Sequence, residues 1–207
     1  MNAEDVATFE RCIAVGGVAL FPTDTVYGLA TEPESREGVQ RLYRLKGRRP
    51  DKPAAVMFFR MELALAALPG LPDPTAEAAT RLLPGQATLL LPNPTRRFPL
   101  ACAPNPYVLG LRVPKLGGDL AALGAVKWPV LQSSANVSDG AEARRIDEVD
   151  EQIRAGADMI LDAGELPGTP STVIDLTRYH EDGGYRVIRP GAMSEAQVRQ
   201  RLGNAVR

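Results

Sequence analysis

Residues 18–29 read Val18-Ala19-Leu20-Phe21-Pro22-Thr23-Asp24-Thr25-Val26-Tyr27-Gly28-Leu29. Four apolar residues closed by a proline mark a strand covered on both faces. Before them, Val6, Phe9 and Ile13 fall on one helical face, and Gly16-Gly17 stops that helix. After them, Ser35 stands where an N-cap belongs, with Val39, Leu42 and Tyr43 on one face of a second helix. The alternation continues along the chain. Apolar runs at 54–59, 87–91, 107–113, 129–131, 159–161, 172–176 and 185–189 predict strands. Helical stretches fall at 62–67, 74–83 and 146–154, and Ser194 caps a short last helix. Interleaved strands and helices predict an α/β fold with a twisted mixed, largely parallel sheet flanked by helices. The segment 92–106 is the least regular and reads as a flexible loop. With no internal repeat or obvious linker, residues 1–207 are expected to form one domain.

Of the 207 residues, 44% are hydrophobic and 24% charged, enough for a sizeable core without disulfides or a structural metal. The net charge of -1 argues against nucleic-acid binding over a broad face. Cys12, Cys102 and His180 are the only cysteines and histidine. No Cys-x-x-Cys pair exists, so a zinc ribbon or iron–sulfur cluster lacks ligands, and no resident metal is expected. His180 lies in a polar, Gly-rich turn, a poor setting for a Ser-His-Asp triad. Two lone cysteines fit a reducing compartment. No apolar leader and no run of about 18 apolar residues is seen, so a cytoplasmic protein with no membrane contact is expected.

Neither Gly-x-Gly-x-x-Gly nor Gly-x-x-x-x-Gly-Lys-Ser/Thr is present, so any nucleotide is held by other means. The most basic stretch, Arg41 to Lys52, has six cations against one acid, Asp51. Cations at a helix end are also what the macrodipole favours. A loop stiffened by Pro50 and Pro53 that carries Lys46, Arg48 and Lys52 nonetheless suits a triphosphate. Thr23-Asp24-Thr25 follows a buried strand, where ligands bind in open α/β sheets, although a plain polar turn would read the same. Ser133-Ser134-Ala135-Asn136 follows another and offers small donors to phosphate oxygens, or a simple cap. Ser171-Thr172-Val173-Ile174-Asp175 and Arg189-Pro190-Gly191 are weak alone.

Taken in order, these five motifs resemble the YrdC-type threonylcarbamoyl-AMP synthase family, over about residues 15 to 192. The Phe-Pro-Thr-Asp-Thr-Val-Tyr-Gly-Leu run and Lys-x-Arg-x-x-x-Lys-Pro at 46–53 are the most specific. The resemblance implies a single YrdC-like catalytic domain of the short form, with helices and sheet around a large basic cavity. It implies synthesis of L-threonylcarbamoyladenylate and pyrophosphate from L-threonine, bicarbonate and ATP, with Mg2+ accompanying the ATP. The product would feed threonylcarbamoyl modification of adenosine 37 in tRNA, through downstream transferase proteins and with possible tRNA contact.

By position, the resemblance implies that Arg48, Lys52, Ser134, Asn136 and Arg189 hold ATP. Lys46 and Arg48 act at the phosphates as catalytic cations. Thr25, Arg112, Gln132 and Ser171 hold threonine. The chain departs from the family pattern at Met57, where many members have histidine, and at Val108, where threonine is common. Gln86 replaces a proline, and Asp139 is inserted between Ser138 and Gly140. These changes keep open a paralogue with another substrate. The cavity keeps open an RNA-binding module, which the few aromatics (5%) oppose. The proposed chemistry suits a histidine-poor chain. A carbamate is already an anionic nucleophile, so the demand is positioning and charge neutralisation.

Overall fold

The structure is a computed structural model and describes residues 1–138 and 140–203. Asp139, one of the departures above, lies outside the described residues. The first helix, α1 (Ala3–Ala14), is capped by Asn2 and buries Val6, Phe9 and Ile13. Strand β1 (Ala19–Pro22) follows, then β2 (Tyr27–Thr31). Helix α2 (Arg36–Lys46) is capped by Ser35, whose Oγ accepts from the Gly38 N–H. Next come β3 (Ala55–Met57), α3 (Met61–Ala67), α4 (Asp73–Leu82), β4 (Ala87–Pro92) and β5 (Val108–Arg112). A 3-10 segment at Gly118–Ala125 leads to β6 (Val130–Ser134). The last part holds α5 (Glu151–Gly156), β7 (Met159–Ile160), β8 (Thr172–Asp175), α6 (Tyr179–Asp182), β9 (Arg186–Arg189) and α7 (Glu195–Leu202).

Among the described residues, nine strands join one sheet in the order β7-β1-β2-β6-β3-β5-β4-β8-β9. The sheet is mixed, as expected, but its parallel share is smaller. β1/β7, β3/β5 and β4/β8 are parallel, and the other five pairings are antiparallel. The cause at 23–26 is the connection itself. Four residues between β1 and β2 can close a hairpin but cannot carry a parallel crossover.

Successive residues of β1 face opposite sides, and both sides are covered. Leu20 packs with Leu29, Leu42 and Val56 in the larger core. Ala19 and Phe21 pack with Val6, Phe9 and Ile13 of α1 in the second. There the Phe9 ring centroid lies 5.3 Å from Phe21 and 5.9 Å from Phe59. Among the described residues no helix is long and apolar enough to cross a membrane.

Two expectations change. The helix expected over 146–154 is broken into a short 3-10 turn at Ile146–Glu148 and α5. Asp150 restarts it, its side chain accepting from Gln152 N–H, while Val149 is drawn into the core. The segment 92–106 packs instead of hanging free. The Asn93 amide donates to the Arg97 and Pro106 carbonyls at 2.9 Å each, and Phe98, Ala101 and Cys102 are buried.

Candidate active site

A cavity of about 480 Å³ opens over the middle of the sheet. Ala55 of β3, Leu90 of β4, Gly110 of β5 and Val173 of β8 line its strand face. The packed segment supplies a wall from Cys102 to Asn105. Arg48, Arg112 and Arg189 bring three guanidinium groups to it, and Glu142 one carboxylate.

The basic stretch at 41–52 divides among several roles. Arg41 is paired with Asp158 at 2.6 Å and Arg49 with Asp51 at 2.5 Å, both outside the cavity lining. Helix α2 ends at Gly47, whose φ of 58° is left-handed and costs glycine little. That reversal sends Lys46 and Arg48 to different places. Lys46 is 1% exposed, and its ammonium donates to the Ser134 carbonyl and, at 2.6 Å, to the Asn136 carbonyl. It also reaches Asn136 Oδ1 at 3.0 Å. Lys46 thus pins the Ser-Ala-Asn turn and is not among the residues that line the cavity, where it was expected to meet the phosphates. Its ammonium is committed to oxygens that burial would otherwise leave unmatched.

Arg48 does reach the cavity. It lies over the Tyr43 ring at 5.6 Å, donates to the Pro53 carbonyl, and approaches Ser133 Oγ at 3.5 Å. Lys52 is exposed on the same loop, where its carbonyl accepts from Tyr43 OH at 3.0 Å. Ser134 lines the cavity and donates from Oγ to Asn136 Oδ1 at 2.6 Å. Asn136 lies behind it, donating from Nδ2 to the Gly140 carbonyl at 2.6 Å. Arg189, from β9, donates to the Ser171 carbonyl at 2.7 Å, and Ser171 Oγ lies 2.8 Å from Thr88 Oγ1.

Arg112 ends β5 and meets the turn after β1. Its Nη2 donates to Asp24 Oδ1 at 2.8 Å and to Thr25 Oγ1 at 3.3 Å. Asp24 Oδ2 accepts from the Lys115 N–H at 2.9 Å. Burial pushes the Asp24 carboxyl above the ordinary range, with the Arg112 guanidinium pulling it back. Burial likewise lowers Arg112, opposed first by the Asp24 carboxylate. Arg112 Nε is buried with no partner, a donor held ready beside the cavity. Thr25 is fully buried behind Arg112 and does not line the cavity, so its hydroxyl orients the guanidinium. Gln132, on β6, does line the cavity. Its amide lies over Gly28, where a Cβ would come within 2.7 Å of Nε2.

Six of the expected residues therefore share one cavity: Arg48, Arg112, Gln132, Ser134, Ser171 and Arg189. Lys46, Asn136 and Thr25 support it from behind. Of the departures, Met57 is fully buried in the second core and does not line the cavity, while Val108 does. The Gln86 side chain takes up a bracing role, its Nε2 donating to the Asp24 carbonyl at 2.7 Å. Sequence reasoning singled out the motifs that hold Asp24 and Ser133 without giving either a role, and it missed Glu142. Asp24 stood inside the most specific motif, but Glu142 lies outside all five motifs and carried no signal. Among the described residues, no three His, Cys, Asp or Glu side chains gather to hold a metal ion.

The family model described as telomere recombination, Sua5_yciO_yrdC, matches residues 11–191. The threonylcarbamoyl-AMP synthase of Pyrococcus abyssi is 28% identical over 192 residues, covering 92% of this chain and 55% of that protein. The chain thus spans about half the length of that relative. The threonylcarbamoyl-AMP synthase of Marinobacter nauticus is 30% identical over 173 residues, covering 83% of this chain and 90% of that one. The crystal structure of Pyrococcus abyssi Sua5 complexed with L-threonine superposes with a TM-score of 0.83 at 25% identity. That match covers 98% of this chain and 58% of that chain.

Proposed function

The chain belongs to the Sua5/YciO/YrdC family, and from that membership we propose that it makes L-threonylcarbamoyladenylate and pyrophosphate from L-threonine, bicarbonate and ATP. One observation carries the proposal. Residues from four separate motifs, Arg48, Ser134, Ser171 and Arg189, line the same cavity as Arg112 and its unpartnered Nε. The two relatives named above are threonylcarbamoyl-AMP synthases, and the L-threonine complex is a Sua5 protein.

In this proposal Arg112 takes the threonine carboxylate, with Thr25 and Asp24 holding the guanidinium in place. Gln132 and Ser171 contact the same substrate. Arg48 and Arg189 take the triphosphate, with Lys52 on the loop beside them and Ser134 as a hydroxyl donor. Lys46 and Asn136 keep the turn carrying Ser134 in position. Mg2+ enters as part of the Mg–ATP substrate, carried by phosphate oxygens and water. The threonine amine, as its free base, adds to the carbon of bicarbonate with loss of water to give the carbamate. A carbamate oxygen then attacks the α-phosphate as the bridging bond to the β-phosphate breaks and pyrophosphate leaves. The barrier lies in bringing two anions together, and fixed guanidinium groups lower it. The product would serve tRNA threonylcarbamoylation through transferase partners. A cytoplasmic setting is part of the same proposal, in keeping with two free cysteines.

The test is incubation with ATP, Mg2+, L-threonine and labelled bicarbonate, reading pyrophosphate release and the mass of the adenylate. A threonine-dependent adenylate is the expected result. ATP binding without any threonine-dependent product would sink the proposal and leave only the fold.

A further inference from the structure

Glu142 is out of place in a cavity for anions. It lines the same wall as three arginines, and its Oε2 is buried without a hydrogen-bond partner. A carboxylate oxygen closed off from water is costly unless a cation meets it. Arg112 lines the same cavity, and the Glu142 carboxylate favours its charged form. Arg112 is already committed to Asp24 and Thr25 through Nη2, and its Nε is likewise buried without a hydrogen-bond partner.

One buried acceptor and one buried donor, both without a hydrogen-bond partner and carried by two residues that line one cavity, are complementary to a zwitterion. We propose that Glu142 binds the α-ammonium of the amino-acid substrate while Arg112 Nε takes its carboxylate. This rests on the function proposed above and adds a contact to it: the site recognises an α-amino acid by both of its charges. An ammonium offers three donors, and hydroxyls of Ser133 and Ser171 line the same cavity to receive the others. Mg2+ is a poorer match for this oxygen. It binds through several oxygens at once, and among the described residues no three His, Cys, Asp or Glu side chains gather to hold a metal ion.

The experiment measures binding of L-threonine, its desamino analogue and Mg–ATP to the wild-type protein and to Glu142→Gln. The variant is near-isosteric, and a thermal melt reports whether it folds. L-threonine affinity should fall about 10- to 100-fold, the scale of one charge-assisted hydrogen bond. Affinity for the desamino analogue, which lacks the amine, should not change, and Mg–ATP affinity should hold or tighten. Glu142→Asp, which keeps the charge, should restore part of the loss and serves if the glutamine variant misfolds. L-threonine binding unchanged in Glu142→Gln would overturn the assignment while leaving the proposed function standing. Loss confined to Mg–ATP would overturn it in favour of a metal role. Wild-type protein that binds ATP but no amino acid would overturn both.

Discussion

Asp24 and Arg112 lie 2.8 Å apart with 5% and 4% of their side chains exposed, although 88 residues separate them in the chain. The pair joins the β1–β2 turn to the end of β5 and fixes the guanidinium of a residue that lines the cavity. Removing one partner leaves the other charge buried. Asp24→Ala should therefore cost about 3–5 kcal/mol of stability. Chemical denaturation checks it, and a loss below 1 kcal/mol would show that the pair contributes little. Arg112→Lys keeps the charge but not the planar fork, so the KM for threonine should rise with a smaller loss of stability.

Lys46 should behave as a structural residue with a functional consequence. Lys46→Met removes the donor to the Ser134 and Asn136 oxygens, which remain buried. A stability loss of about 1–3 kcal/mol per unmatched group is expected, together with weaker ATP binding. Unchanged melting with a pure fall in kcat would instead place Lys46 at the reacting phosphates.

Arg48 should show the opposite pattern. It is half exposed at the cavity and holds little of the core. Arg48→Ala should cost roughly 2–4 kcal/mol in transition-state stabilisation, the scale of one preorganised donor. The fold should be barely affected. Steady-state kinetics beside a thermal melt separates the two, and near-wild-type kcat/KM would remove Arg48 from the site.

Cys102 reports on the cavity without a mutation. Burial pushes its thiol up to about 11, with a hydrogen bond from Asn93 pulling the other way. The thiolate is the reactive form, so alkylation at pH 8 should run about 100-fold slower than for a free cysteine. The rate should climb as pH rises toward 11. Because Cys102 lines the cavity, bound ATP should slow it further. Mass spectrometry of the labelled peptide distinguishes it from Cys12, whose thiol burial also raises. Fast labelling at pH 8, unaffected by ATP, would contradict the packed wall at 102–105.

Much of this was legible in the chain. Double-sided burial of Val18 to Phe21, the Ser35 and Ser194 caps and the helix stop at Gly16-Gly17 are local matters of periodicity and backbone preference, and they hold. The order of the polar motifs pointed to one family and brought six of ten expected residues to one cavity. The balance of parallel and antiparallel pairing was not legible, since it depends on which strands become neighbours in the sheet.

What the sequence by itself determined, then, is where strands, helices and polar turns lie, because hydrophobic period, caps and proline act within a few residues. Tertiary structure decided what each polar side chain does. Lys46 and Arg48 stand two residues apart in one motif. A left-handed Gly47 turns one into the interior, where burial makes its hydrogen bonds obligatory, and the other to the cavity. The pairing of Asp24 with Arg112, and the closed-off oxygen of Glu142, arise only when distant strands converge. Desolvation, which sets the cost of each unmatched charge, exists only once the sheet has closed around them.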